Sequence, residues 1–173
     1  LRKAFDLRRN DLLVYMALSN FRKSVPFKHL PAPLKLDVKT FLGGHKAGRE
    51  EAMRLLFAAG NPGTITRLCE DTPFGHQTEQ ALFVHRSLLS ELNPVLRIYV
   101  GCAEVLAGEL GSIDIIKLHK RSGKVSLLRY DDFQGNPLPE LTERIKVDLR
   151  RQTVEIFDHG SEERQELLYF KEC

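Results

Sequence analysis

The chain has 173 residues, of which 42% are hydrophobic and 28% charged, with a net charge of +3. That length suits one domain, or a helical subdomain leaning on a mixed one, and the composition excludes a disordered chain. The longest apolar runs, such as Leu12 to Leu18 and Ala103 to Ala107, fall well short of the ~20 residues of a membrane span, and no charged-then-apolar leader opens the sequence. Cys69, Cys102 and Cys173 form no CxxC pair, and an odd number argues against a disulfide framework. The expectation is a cytoplasmic protein with no membrane partner. The sequence opens at Leu1 inside what reads as a charged helix, so it is expected to be a piece of something longer.

The charge is unevenly distributed. Residues 1–49 carry eleven Lys and Arg against Asp6, Asp11 and Asp37, whereas residues 76–173 carry thirteen against sixteen Asp and Glu. Such separation suits a first quarter that faces a polyanion, and a solvated helix face explains the same residues.

In chain order, Leu7, Leu12, Leu13, Tyr15, Met16, Leu18 and Phe21 recur at helical spacing, with Asn10 and Asp11 as caps for a start near them. Pro26, Pro31 and Pro33 break the chain, and Leu34, Val38, Phe41 and Leu42 mark a second helix that stops at Gly43-Gly44. His45 to Ala59 reads as a third helix with Met53, Leu56 and Phe57 facing inward, and Asn61-Pro62 opens a fourth running to about Cys69. Ala81 to His85 is a short strand followed by a helical turn through Leu88 and Leu89. Asn93-Pro94 caps a connecting helix that ends at Gly108. Ile113 to Leu118 and Val125 to Leu128 flank Lys120-Arg121-Ser122-Gly123, a hairpin signal. Ile145 to Leu149 alternates as a strand, Arg150-Arg151-Gln152 turns, Val154, Ile156 and Phe157 supply another strand, and Leu167 to Phe170 a last one. The fold class is α+β: a helical subdomain of about four helices over residues 1–75, then a small, mainly antiparallel sheet with its connecting helix over 76–173.

No glycine-rich phosphate loop is present, and Gly43-Gly44-His45-Lys46 is a helix end with a lysine nearby. The histidines and cysteines lack zinc-ligand spacing. His85, Ser87 and Cys102 sit in no nucleophile elbow. A metal nuclease would draw on Glu104, Glu109, Asp114 and Lys117, although Asp114 and Lys117, three apart, point to opposite faces of a regular strand. Val84-His85-Arg86-Ser87, Arg97, Tyr99 and Lys117-Leu118-His119-Lys120-Arg121 mix imidazole, guanidinium and ammonium groups, with Lys117 and His119 on one strand face. That mixture suits phosphate or sulfur-modified phosphate, and a core histidine beside a charged hairpin tip explains it equally. Tyr130-Asp131-Asp132-Phe133-Gln134-Gly135-Asn136-Pro137 reads as a turn that could wall a pocket.

Several stretches carry a resemblance: Arg9 to Tyr15 with Ala17 to Arg22, Leu36 to Phe41, Leu55 to Gly60, Ala81 to Ser87, Val95 to Tyr99 with Gly101 to Ala103, Ile116 to His119, Lys124 to Ser126, and Val147 to Leu149. In number and order they resemble the C-terminal region of the DNA phosphorothioation-associated methyltransferase family of bacteria. Tyr130 to Phe133 and the tail from Glu166 to Glu172 depart from that family's pattern. The resemblance implies that any methyl-transfer domain lies upstream of Leu1 and that this fragment binds no methyl donor, so no cofactor is expected.

Together these readings predict a non-catalytic DNA-associating domain of a phosphorothioate-modification or defence system. Arg8, Arg9, Arg22, Lys23, Lys28, Lys35, Lys39 and Lys46 would track the backbone, and His85, Arg86, Lys117, His119, Lys120 and Arg121 would add a local contact. The alternatives are a module docking on other proteins of that system and, third, the metal nuclease.

Overall fold

A computed structural model describes residues 2–22 and 27–159, with the side chain of Phe27 left out. Helix α1 (Arg2–Phe21) buries Leu12, Leu13, Val14, Met16 and Ala17. It begins eight residues before Asn10, so Asn10 and Asp11 lie within the helix rather than capping it. Asp11 accepts instead from the Arg97 guanidinium at 2.7 Å. Leu7 and Tyr15, at 48% and 42% exposure, fall outside the buried stripe.

Pro31 and Pro33 open α2 (Ala32–Leu42), which ends at Gly43 and Gly44; their φ values of +71° and +118° are accessible to few other residues. Helix α3 (His45–Ala59) follows at once. Its fully buried positions are Gly48, Ala52 and Ala59, all small, and it packs against α1 and α5. Close approach on that small-residue side leaves Phe57 on the other, at 74% exposure, which corrects the expectation that it faces inward. Asn61 caps α4 (Pro62–Glu70), its side chain accepting the Thr64 N–H at 3.0 Å.

The sheet contains β1 (His76–Gln77), β2 (Ala81–His85), β3 (Ile115–His119), β4 (Lys124–Tyr130), β5 (Leu141–Asp148) and β6 (Thr153–Asp158), hydrogen-bonded in that order. Every pairing is antiparallel. Strand β1 was missed in the sequence because two residues show no periodicity, and the strand expected over Leu167 to Phe170 lies outside the described residues. Between β2 and β3 the chain makes a 3-10 turn (Arg86–Glu91) and then α5 (Pro94–Ala107), capped by Asn93 accepting the Val95 N–H at 3.0 Å.

Helix α5 packs on β4, β5 and β6 and also on α1 and α3. An added Cβ at Gly101 would lie 2.6 Å from the Leu18 side chain, so α1 approaches α5 there only because the residue is glycine. Leu82, Val84, Ile116, Leu118, Val125, Leu127 and Val147 point from the sheet toward the helices, each at most 1% exposed. They share one hydrophobic cluster with Leu12, Val38, Ala52, Ile65 and Leu96, so the core is continuous from the helices to the sheet. Alternation then obliges the intervening strand residues to point the other way.

Candidate nucleic-acid interface

The register fixes what the outer face of the sheet presents. One row across the strands reads His76, Phe83, Lys117, Ser126, Lys146 and Glu155. A parallel row reads His85, Ile115, Leu128, Arg144 and Phe157, and a third carries Ala81 opposite His119 and Lys124 opposite Asp148. At one end, Ile115, Leu128 and Leu141 form a small apolar patch under Phe83, Tyr130 and Phe133. The remainder is mostly basic, with Ser126, Asp148 and Glu155 among the cations.

At the hairpin end of β3, His119 Nε2 lies 3.2 Å from the Ser126 hydroxyl. Burial, then the positive charges of Lys117, Lys146, Lys124 and Arg144, pull its imidazole down from 6.5 to about 4. The imidazole is therefore neutral at pH 7; Lys117 and Lys146 share the adjacent row, and Arg144 lies one row beyond them. Two of these cations sit over rings: Lys117 Nζ is 4.9 Å from the centroid of Phe83, and the Arg144 guanidinium is 4.8 Å from that of Phe157. Asp148 lies 3.8 Å from Lys124 and accepts the N–H groups of Arg150 and Arg151 at 3.0 Å. Exposed Arg121 and Arg151 lie on the turns at this end, while Arg150 donates to the Arg121 carbonyl at 2.9 Å and lines the cavity on the helix side.

The expected cations do not form one surface. Arg8 pairs with Asp37, and Arg9 binds both carboxylate oxygens of Glu51 at 2.6 Å, so these two join α1 to α2 and α3. Arg97 and Asp11 join α5 to α1 in the same way. Lys35 Nζ donates to the Lys28 carbonyl at 2.7 Å. Lys28 and Lys39 are exposed, and Lys46 is exposed beside His45, Arg49 and Arg54 on α3. Arg22 and Arg86 line one surface recess with Glu104, which pairs with Arg86. Lys23 lies outside the described residues.

Lys120 needs a larger correction. At 5% exposure its ammonium donates to the Thr78 carbonyl at 2.9 Å and faces Glu70 at 3.9 Å, so it holds α4 and the β1–β2 turn to the hairpin rather than offering a ligand contact. Tyr99 is likewise structural, its hydroxyl directed at the Lys124 carbonyl at 2.9 Å beneath the sheet. His85 stacks on Phe133 with centroids 5.2 Å apart, and its Nδ1 lies 2.7 Å from Ser87 Oγ. Of the local group, Lys117 and His119 are thus the pair that shares the outer face, near the hairpin end of β3. Lys124, Arg144 and Lys146, which join them, were missed in the sequence reading; the alternation of Arg144 and Lys146 with Ile145 and Val147 was the available signal.

The nuclease residues do not converge. Asp114 accepts the Tyr130 N–H at 2.9 Å at the base of the hairpin, and Glu109 is exposed just past the end of α5. Among the described residues no three His, Cys, Asp or Glu side chains are grouped to hold a metal. Burial pushes the thiols of Cys69 and Cys102 up to about 11 and about 12, away from the reactive thiolate. A mostly apolar cavity of about 230 Å³ lies between the helices and the hairpin, lined in part by Phe21, Leu56, Ile65 and Tyr99. Among the described residues no helix is long and apolar enough to cross a membrane. Comparison with protein-family models, curated proteins and solved structures found no match.

Proposed function

We propose that this chain is a non-catalytic domain that holds DNA within a phosphorothioate-modification or defence system, and that its contact surface is the outer face of the sheet. The observation that supports the reading is the gathering of Lys117, Lys124 and Lys146 in the two outer-face rows at the His119 end of the sheet, with Arg144 one row further on. Like charges repel, and a face on which the cations outnumber Asp148 and Glu155 attracts a polyanion. The resemblance to phosphorothioation-associated proteins supports DNA as that anion. Phosphate contacts of this kind give salt-dependent, weakly sequence-selective binding.

The test is fluorescence anisotropy with single strands and duplexes, plain or carrying one phosphorothioate, across a salt series. Salt-sensitive binding that Lys117→Glu/Lys146→Glu abolishes, with the fold retained, is the expected result. Tighter binding to the sulfur-bearing DNA would make the domain a reader of the modification. Absence of binding to every probe would overturn the reading in favour of docking on other proteins of the system, for which Leu36 and Phe57, at 64% and 74% exposure on the helical side, are the supporting observation.

A further inference from the structure

The outer face carries more than charge. Phe83 on β2 and Phe157 on β6 bracket the basic rows, four strand spacings or about 19 Å apart. Each ring has a cation over it: Lys117 Nζ at 4.9 Å from Phe83, and Arg144 at 4.8 Å from Phe157. A phosphate group offers either cation a stronger partner than a ring, because a charge-assisted contact outweighs a surface cation–π contact. A cation drawn to phosphate leaves its ring face open, and a base stacked on that face gains more than the displaced contact supplied.

We infer that this face takes a single strand of nucleic acid running across the β-strands, with bases stacked on Phe83 and Phe157 and phosphates held by Lys117, Lys146 and Arg144. The inference rests on the nucleic-acid reading above and names the form of the ligand. In a duplex, both faces of each base are already stacked on neighbouring bases, so the two rings would find nothing to bind. The spacing also favours a strand: Lys117 and Lys146 share one row, two strands and about 10 Å apart, between the flanking rings. His76, packed at 5.9 Å from Phe83, closes the β2 side of the row, and Glu155 beside Lys146 closes the β6 side.

The experiment uses the full chain, a twelve-nucleotide oligo-dT with a central 2-aminopurine, and a duplex of the same length. The strand should bind at least about tenfold more tightly than the duplex, with quenched 2-aminopurine fluorescence. Phe157→Leu should weaken strand binding about fivefold or more and relieve the quenching, with duplex binding and thermal melting unchanged. Equal binding of strand and duplex without quenching, lost in Lys117→Glu/Lys146→Glu, would overturn the stacking inference and leave the backbone-holding function standing. Failure of both probes to bind would overturn both. Because Phe83 contacts the apolar patch, Phe83→Leu is read only after circular dichroism confirms an unchanged fold.

Discussion

Positive charge is handled in opposite ways on the two sides of this molecule. On the helical side, Arg8, Arg9, Arg86 and Arg97 each meet a carboxylate, and three of these pairs join separate helices. On the outer sheet face, Lys117, Lys124, Arg144 and Lys146 share neighbouring rows with two acids, Asp148 paired with Lys124 and Glu155 beside Lys146. A formal count favours the first quarter of the chain as the polyanion site; there Arg8 and Arg9 are matched within the fold, while Lys28, Lys39, Lys46 and Arg49 stay exposed. The field at each surface depends on where cations and acids come to lie relative to one another, and tertiary contacts set that.

The largest effect expected from disturbing this contrast comes from the buried side of the sheet. Leu118→Ala removes a fully buried side chain beneath the basic face and should cost about 2–5 kcal/mol, measured by urea denaturation. Lys146→Ala, pointing outward from the neighbouring region of the sheet, should change stability little.

Next is affinity. Lys117→Glu/Lys146→Glu should weaken oligonucleotide binding by more than about tenfold and flatten its salt slope, whereas Arg8→Glu/Arg9→Glu should leave the slope nearly unchanged. Anisotropy titrations at several salt concentrations measure both, and the reverse ranking would return the interface to the helices.

A smaller effect comes from His119. Its folded value, about 4, lies below the ordinary 6.5, so between those values the unfolded chain binds the extra proton. Its contribution to stability is therefore complete above about pH 6.5 and is lost as the pH falls toward 4. The loss should be about 1 kcal/mol after allowance for solvent screening, and His119→Gln should flatten that part of the stability profile. Bound nucleic acid should raise the His119 value, visible as a shift in its imidazole NMR titration.

The smallest effect is expected at a matched surface cation. Arg8→Ala should destabilise by at most about 0.5 kcal/mol, because the Arg8 side chain is 48% exposed and its pair with Asp37 is screened by water. A larger loss in thermal melting would show that helix-side pairing is more than charge matching.

Much of the architecture was legible because its signals are local. Asn61-Pro62 and Asn93-Pro94 mark helix starts through side-chain caps a few residues long, Gly43-Gly44 marks a stop, and Lys120 to Gly123 marks a hairpin turn. Alternation likewise put Lys117 and His119 on one face. Phe57 was misplaced because hydrophobicity says that a side chain can be buried, while α3 packs through Gly48, Ala52 and Ala59. Lys120 was misread for a related reason: a charged residue in a turn looks exposed until α4 and the Thr78 carbonyl close over it.

Sequence alone marked the Asn61 and Asn93 caps, the hairpin turn, the strand alternation and hence the α+β class, since these depend on residues a few positions apart, while Asn10 and Asp11 proved to lie inside α1. Which cations meet which acids, and which share a sheet row, is set by long-range contacts. Arg8 meets Asp37 across 29 residues, and Lys146 reaches the row of Lys117 through the register of two antiparallel pairings. Charge acts through space, and the distances that govern it arise when the strands align.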